Sequence, residues 1–249
     1  MAILRTLAAA GAAALMLSAC SGASSSGDGR SAYEREGDRA IGNPDAPVTM
    51  VEYASVACGG CAAWHASARP TVDEYIESGD VRYVFRELIT GQPNLAIAGF
   101  MLAGCAPEDR YFDVIDLLFE QQRALFTAMQ QGRAQAQFQT IARTAGFSDE
   151  DFRACMQSED NLQAVRDANE RASREGITAT PTFFINGDLL EAGSSPDADG
   201  PVYTVDGQPL VDDQGPIPAT FEGETFERII LYYKARAEGS ASGGDGGAE

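Results

Sequence analysis

The sequence predicts an α/β fold in which a block of helices interrupts a small sheet. Three observations carry this. Residues 48–56 are apolar, residues 61–76 have helical composition, and Val81-Arg82-Tyr83-Val84-Phe85 alternates, the β-α-β order that builds parallel sheets. Only helical periodicity follows, across residues 92–171. Strand character then returns at Thr182-Phe183-Phe184-Ile185. With 249 residues, 44% of them hydrophobic, the chain has apolar material for one substantial unit or two small ones.

Residues 1–5 make a short, weakly positive start. Residues 7–17 are an unbroken apolar and small-residue run, too short to span a bilayer as a mature helix. The run ends in Leu17-Ser18-Ala19-Cys20, which resembles the bacterial lipobox. The expectation is a signal peptide over 1–19 and lipid on Cys20, anchoring the chain to a membrane. An ordinary secretory signal with Cys20 incidental is the alternative. Residues 20–38 are rich in Ser, Gly and charge and nearly lack apolar side chains. They read as a flexible tether, because burial cannot offset their ordering entropy. Residues 237–249 read as a disordered tail for the same reason.

Residues 48–56, apolar on both faces, read as a buried central strand. The helical segment after them contains Pro70, an expected interruption. With residues 81–85 as a second strand, 39–91 form the first sheet-bearing part. In the helical block at 92–171, residues 95–105, 111–122, 134–145, 149–157 and 162–174 read as helices, the last running slightly beyond the block. Phe112, Ile115, Leu118 and Phe119 follow the three-and-four spacing of a buried helix face. Ser148 before Asp149-Glu150-Asp151 suits a helix start by capping and dipole complementarity, and Gly146 and Gly176 suit helix ends. Residues 172–236 form the second sheet-bearing part. There Asn186-Gly187 is a strong hairpin signal between residues 182–185 and 188–190. Residues 194–220 read as a surface excursion with a small strand at 202–205. Residues 221–234 close the chain as an amphipathic helix through Phe226, Ile229, Ile230 and Tyr233.

The formal charge is -19, from 37 acidic and 18 basic side chains, with no Lys or Arg cluster. That excludes a nucleic-acid partner, which needs such clusters to hold phosphate. After Cys20 the cysteines are Cys58, Cys61, Cys105 and Cys155. In an exported chain disulfides persist.

Cys58-Gly59-Gly60-Cys61 lies between a buried strand and a helix. A sulfur at a helix start faces unpaired N–H groups and the positive end of the helix dipole, which favours thiolate over thiol. Cys58 is therefore the expected attacking sulfur and Cys61 the shielded, resolving one. Gly59 and Gly60 leave room for an incoming mixed disulfide. Half a zinc site is the first alternative, but zinc takes four ligands and the other cysteines are isolated. A purely structural disulfide is the second. The single histidine, His65, lies about 10 Å along a helix from Cys58 and reads as an exposed side chain, not a ligand or base. Cys105 and Cys155 each sit on a helix beside apolar residues. The even count leaves them as partners in a structural disulfide, with two separate buried thiols as the alternative. Trp64, Phe183 and Phe184 read as core.

Val51-Glu52-Tyr53-Ala54-Ser55-Val56-Ala57-Cys58-Gly59-Gly60-Cys61, the helical block and Thr178-Ala179-Thr180-Pro181-Thr182-Phe183-Phe184-Ile185-Asn186-Gly187 together carry a resemblance. Over residues 39–237 the sequence resembles the thioredoxin superfamily, in its DsbA-like branch. The resemblance implies a thioredoxin-like fold with an inserted α-helical domain and a protein disulfide oxidoreductase of the bacterial periplasm. Its implied partners are exported proteins with cysteines and a redox partner that resets the active disulfide. No cofactor and no metal are expected. In the family a cis proline sits beside the disulfide and the residue before it presents backbone to substrate, which assigns Pro181 and Thr180. A cis X–Pro bond is accessible and leaves no competing N–H, whereas a trans proline starting a strand is the alternative.

Glu52 shares a strand face with Val48, Met50 and Ala54, and a carboxylate there is costly unless paired or protonated. It lies where DsbA-like proteins resemble one another in carrying a buried acid, which implies a pKa-tuning or proton-transfer role. A Glu reaching solvent at a strand end is the alternative. One departure is Gly-Gly between the cysteines, where well-known oxidising members carry Pro-His. The potential therefore does not carry over with the resemblance. Oxidase is the favoured direction, with isomerase or reductase as alternatives. A non-catalytic peptide- or metal-binding module on the same fold is the rival of another class.

Overall fold

The computed structural model describes residues 30–242. The expected signal peptide and Cys20 lie outside the described residues, as do residues 243–249. The sheet is laid down around β2 (Val48–Ala54), every residue of which is buried, after a short edge strand β1 (Arg39–Gly42). Two helices follow, α1 (Gly59–Ser67) and α2 (Arg69–Glu77), and then β3 (Val81–Glu87). Pro70 explains the division into two helices. It occupies the first turn of α2, where a missing N–H is tolerated.

Six helices separate β3 from the next strand: α3 (Pro93–Gly104), α4 (Tyr111–Glu120), α5 (Gln122–Gln130), α6 (Ala134–Thr144), α7 (Asp149–Met156) and α8 (Glu159–Arg174). Ser148 starts α7 with a capping box, its Oγ accepting from the Asp151 N–H while the Asp151 carboxylate accepts from the Ser148 N–H. Helix α5 is not foreseen by periodicity, because its polar side chains outnumber Leu125, Phe126 and Met129.

The chain returns to the sheet with β4 (Thr182–Ile185), β5 (Asp188–Gly193), β6 (Val202–Val205) and β7 (Gln208–Pro209). The β4–β5 turn is Asn186-Gly187, both at positive φ (48° and 88°), the pattern of a tight primed hairpin turn. A two-strand ribbon, β8 (Val211–Asp212) and β9 (Gly215–Pro216), precedes the closing helix α9 (Gly223–Ser242).

Among the described residues β1 to β7 form one sheet in the order β1-β3-β2-β4-β5-β6-β7. β3 runs parallel to β2, and β4 runs antiparallel to it with Glu52 opposite Phe183. Val48, Met50 and Ala54 of β2 face the main core with Trp64 and the α9 residues Phe226, Ile229, Ile230 and Tyr233. Val51 and Tyr53 face the other side, with Val84, Leu88, Phe184 and Ala172 of α8. Trp64 is fully buried against the rings of Phe183 (5.0 Å), Phe226 (5.4 Å) and Tyr83 (6.2 Å).

Two sequence expectations are corrected here. Residues 31–38, assigned to the tether, are fastened to the sheet. Glu34 pairs with Arg82 at 2.8 Å and Asp38 with Arg86 at 2.7 Å, and these carboxylates are nearly buried. Arg35 pairs with Glu175 and donates to the Tyr53 hydroxyl. Charge-assisted bonds to arginines distant in sequence do what apolar burial would otherwise do, and composition does not reveal them. The expected tail from residue 237 also starts late, since α9 continues to Ser242.

Candidate active site

Strand β2 ends at Ala54, and the next four residues turn the chain into α1. The Ser55 Oγ accepts from the Ala57 N–H (3.2 Å) and the Ser55 carbonyl from the Cys58 N–H (2.9 Å). This turn leaves Cys58 as the N-cap of α1 in an extended conformation, its sulfur accepting from the Cys61 N–H at 3.5 Å. Half-buried Cys58 and fully buried Cys61 are free thiols.

The two sulfurs are driven in opposite directions. Cys58 is brought down to about 5, first by hydrogen bonding from the Cys61 side chain, then by Thr180 and the Cys61 and Gly60 N–H groups, against the effect of burial. Burial pushes Cys61 far above the ordinary thiol range, reinforced by its bond to Cys58 and by the charge of Glu52. Because the folded Cys58 value lies below the ordinary 9.0, its stabilisation of the reduced form is full above pH 9 and shrinks as pH falls. It is gone below about 5. The reduced protein is expected to lose stability relative to the oxidised one between about pH 9 and about pH 5. Paired denaturant melts of the two forms check this; a constant difference would remove the thiolate argument.

The Thr180–Pro181 bond is cis, and it lies against the cysteines. The Thr180 carbonyl oxygen is 3.3 Å from Cys58 Sγ. A Cβ on Gly60 would stand 3.2 Å from Pro181 Cδ and 3.7 Å from Cys58 Sγ, so a side chain there would crowd both. The Thr180 and Thr90 hydroxyls are 2.5 Å apart, and the Thr90 carbonyl accepts from Ser55 Oγ at 3.1 Å. Next to it, Gly91 has φ +71° and its missing Cβ would lie 2.0 Å from the Ala57 carbonyl oxygen. A Gly91→Ala variant is expected to lose about 2–3 kcal/mol through strain at this site, measured by urea unfolding.

Glu52 is fully buried behind this loop. Its Oε2 accepts from the Tyr83 hydroxyl and lies 3.1 Å from His65 Nε2, while Oε1 has no hydrogen-bond partner. His65 is therefore not the exposed side chain expected from sequence. It is 4% exposed, and its ring stacks on Phe119 at 3.9 Å. Helix α1 lies on the sheet, so the helix face that carries Trp64 and His65 turns toward β2.

Cys105 and Cys155 are joined by a disulfide with Cα atoms 5.9 Å apart, linking the end of α3 to α7. Asn161 of α8 donates to Cys105 Sγ at 3.1 Å and to the Met101 carbonyl at 2.7 Å.

Gln122 is a site residue that sequence reasoning passes over. From the start of α5 its buried Nε2 donates to the carbonyls of Val56 and Cys58, each at 2.9 Å, tying the helical block to the cysteine loop. Thr90 and Gly91 are others. They lie too far along the chain from Cys58 for any spacing rule to connect them.

The family model described as Thioredoxin matches residues 34–199. A Rickettsia conorii chain, named provisionally as a protein-disulfide oxidoreductase, is 28% identical over 157 residues, 61% of this chain and 54% of its own length. This chain thus spans about half of that relative. Disulfide bond formation protein D of Bacillus subtilis is 23% identical over 160 residues, 63% of this chain and 71% of that protein. The Wolbachia pipientis alpha-DsbA1 structure shares the fold with a TM-score of 0.64 and 22% identity, covering 84% of this chain and 96% of that one. A sheet with a Cys-x-x-Cys helix start and a cis proline against it, matched by a family model over well more than half of the residues, places the chain in the thioredoxin family.

Proposed function

We propose that the chain is a protein disulfide oxidoreductase that works as an oxidase on exported proteins with cysteine pairs. One observation carries this reading: Cys58 caps the start of α1, half-buried and accepting from the Cys61 N–H, while Cys61 is fully buried, so the first is held toward thiolate and the second toward thiol. A stabilised Cys58 thiolate favours the reduced form, which makes the Cys58–Cys61 disulfide an oxidant. Gly-Gly between the cysteines supplies no side chain for this, and the Cys61 side chain, Thr180 and the N–H groups of Cys61 and Gly60 serve instead.

In each cycle a substrate thiolate attacks Cys58 Sγ. The Cys58–Cys61 bond breaks, and Cys61 leaves as thiolate and takes up a proton. A second substrate thiolate then attacks the substrate sulfur of the mixed disulfide and Cys58 leaves as thiolate. The substrate has lost two electrons and the chain has gained them. A redox partner accepting two electrons restores the disulfide. Thr180 and Pro181 border the reacting sulfur and are assigned to substrate backbone. The names of the Rickettsia and Bacillus relatives support the reaction class.

We place this activity in the bacterial periplasm, on a membrane through lipid at Cys20. Residues 39–91 and 172–236 form the thioredoxin-like domain and 92–171 a helical domain inserted in it, a division supported by six helices between β3 and β4. Among the described residues no helix is long and apolar enough to cross a membrane.

Mixing the oxidised chain with a reduced peptide bearing two cysteines tests the direction. Stoichiometric peptide disulfide, with Cys58 and Cys61 reduced, is expected. Reduction of insulin disulfides without peptide oxidation would overturn the oxidase reading in favour of a reductase.

A further inference from the structure

Cys61 is sealed from solvent, yet every exchange requires it to pass between thiol and thiolate, so one proton must cross the protein. Glu52 is equally sealed and lies against α1, on which Cys61 and His65 stand four residues apart on one face, and its charge raises the Cys61 thiol. Its Oε2 faces His65 Nε2 at 3.1 Å. On the other side of the ring, His65 Nδ1 faces Asp116 Oδ1 of α4 at 3.6 Å. Asp116 is 43% exposed. The imidazole thus stands with one nitrogen toward a buried carboxylate and the other toward a carboxylate at the surface. An imidazole in that position can take a proton at one nitrogen and release another from the other.

We propose that His65 is a proton relay and that Asp116 is its outlet, carrying the Cys61 proton between Glu52 and solvent. This rests on the oxidoreductase reading and deepens it. The step is balanced in both directions. When Cys61 leaves the disulfide, Glu52 passes it a proton, His65 Nε2 refills Glu52, and Nδ1 recovers a proton through Asp116. When Cys61 attacks a mixed disulfide, the same proton travels outward.

The surroundings suit a relay. Burial alone would depress the imidazole, but the charge of Glu52, the nearby Asp116 carboxylate and the bond to Glu52 outweigh burial and the opposing charge of Arg69, raising it above the ordinary histidine value. From β3 the Tyr83 hydroxyl donates to Glu52 Oε2, and Tyr83 itself is pushed well above its usual range, so it remains a donor. From α2 Arg69 lies over the Tyr83 ring at 4.4 Å, 3.5 Å from Asp116 and 2.7 Å from Asp73. It is ion-paired with the outlet carboxylate. Phe119 covers the ring, so protons leave by the nitrogens and not by water entering beneath the helix. At 3.6 Å His65 Nδ1 and Asp116 face each other without a hydrogen bond, so the Asp116 side chain must close this gap for the proton to pass.

The test is stopped-flow reaction of the reduced full chain with oxidised glutathione, which separates two steps. Attack by Cys58 forms the mixed disulfide and needs no proton from Cys61, whereas resolution by Cys61 does. His65→Gln is expected to leave the first rate within about twofold and to slow resolution by at least about tenfold at neutral pH, the scale of a lost acid–base relay. The deficit should shrink at alkaline pH, a response that a merely structural role would not give. Asp116→Asn, at a half-exposed site, should slow the same step more mildly. Unchanged resolution in both variants would overturn the relay, as would equal slowing of both steps at every pH. Should His65→Gln fail to fold, Asp116→Asn decides alone: an unchanged resolution rate refutes the outlet, and with it the route. A wild-type chain that forms no mixed disulfide would instead fail the oxidoreductase reading, and the relay with it.

Discussion

Replacing Cys61 by Ser is expected to trap substrate proteins on Cys58 as stable mixed disulfides, whereas Cys58→Ser should trap none and lose exchange entirely. The asymmetry follows from access and charge together. Cys58 is half-buried at the helix start, stabilised as thiolate, and beside the Thr180 carbonyl. Cys61 is fully buried and held as thiol, so it meets only a sulfur already attached to Cys58. Without it a mixed disulfide has no resolving partner within the chain. Non-reducing gels followed by mass spectrometry of the cross-linked peptide read the result directly. Trapping through Cys61 in the Cys58→Ser variant would invert the assigned roles. A second effect separates chemistry from access. The Cys61 side chain is the largest influence lowering Cys58. Cys61→Ala should therefore move the alkylation midpoint of Cys58 upward from about 5, while Cys61→Ser, which keeps a donor, moves it less.

Removing the second disulfide should cost stability and leave the thiol chemistry intact. The bridge closes a loop with a sequence separation of 50, for which chain-entropy arguments give up to about 4 kcal/mol. The paired Cys105→Ala and Cys155→Ala variant is expected to lose about 2–4 kcal/mol, because Asn161 also loses its sulfur acceptor. For a domain of this size that corresponds to a drop in Tm of roughly 4–15 °C. Calorimetry on the oxidised protein measures it. The bridged sulfurs contact Met101 and Asn161, and the Cys58 midpoint should stay at about 5. An unchanged Tm would mean that the bridge constrains an unfolded state that is already compact.

How much of the site can be read from the sequence depends on how far apart its parts lie. The Cys-x-x-Cys pair is legible because most of what activates Cys58 lies within four residues: a strand end, an N-cap, the Cys61 side chain and the first N–H groups of a helix, with Thr180 the distant exception. Thr180-Pro181 is legible only through the family resemblance, since a proline by itself still favours the trans bond. Asn186-Gly187 announces its turn through two residues that tolerate positive φ. Glu52 is legible in part: strand alternation puts it on the core face, but nothing local names its partner. His65 is misread because distance along α1 was counted from Cys58, whereas its partner lies on β2, thirteen residues back and directly beneath the helix. The 31–38 segment is misread because composition counts apolar side chains and cannot see that Arg82 and Arg86 wait on β3.

The sequence by itself therefore determined the β-α-β start, the helical block and the return to strands, the α/β class, the Cys-x-x-Cys pair at a helix start and the Asn186-Gly187 turn. These follow from hydrophobic period, capping and backbone restriction, and each acts over a few residues. The tertiary structure alone decided which polar groups meet beneath the sheet and around the cysteine loop. Glu52, His65, Tyr83 and Asp116 come from four elements, and Gln122 reaches the Cys58 carbonyl across 64 positions. Burial sets those pairings, because a polar atom taken out of water must find whichever partner the packed core brings within reach, at any separation along the chain.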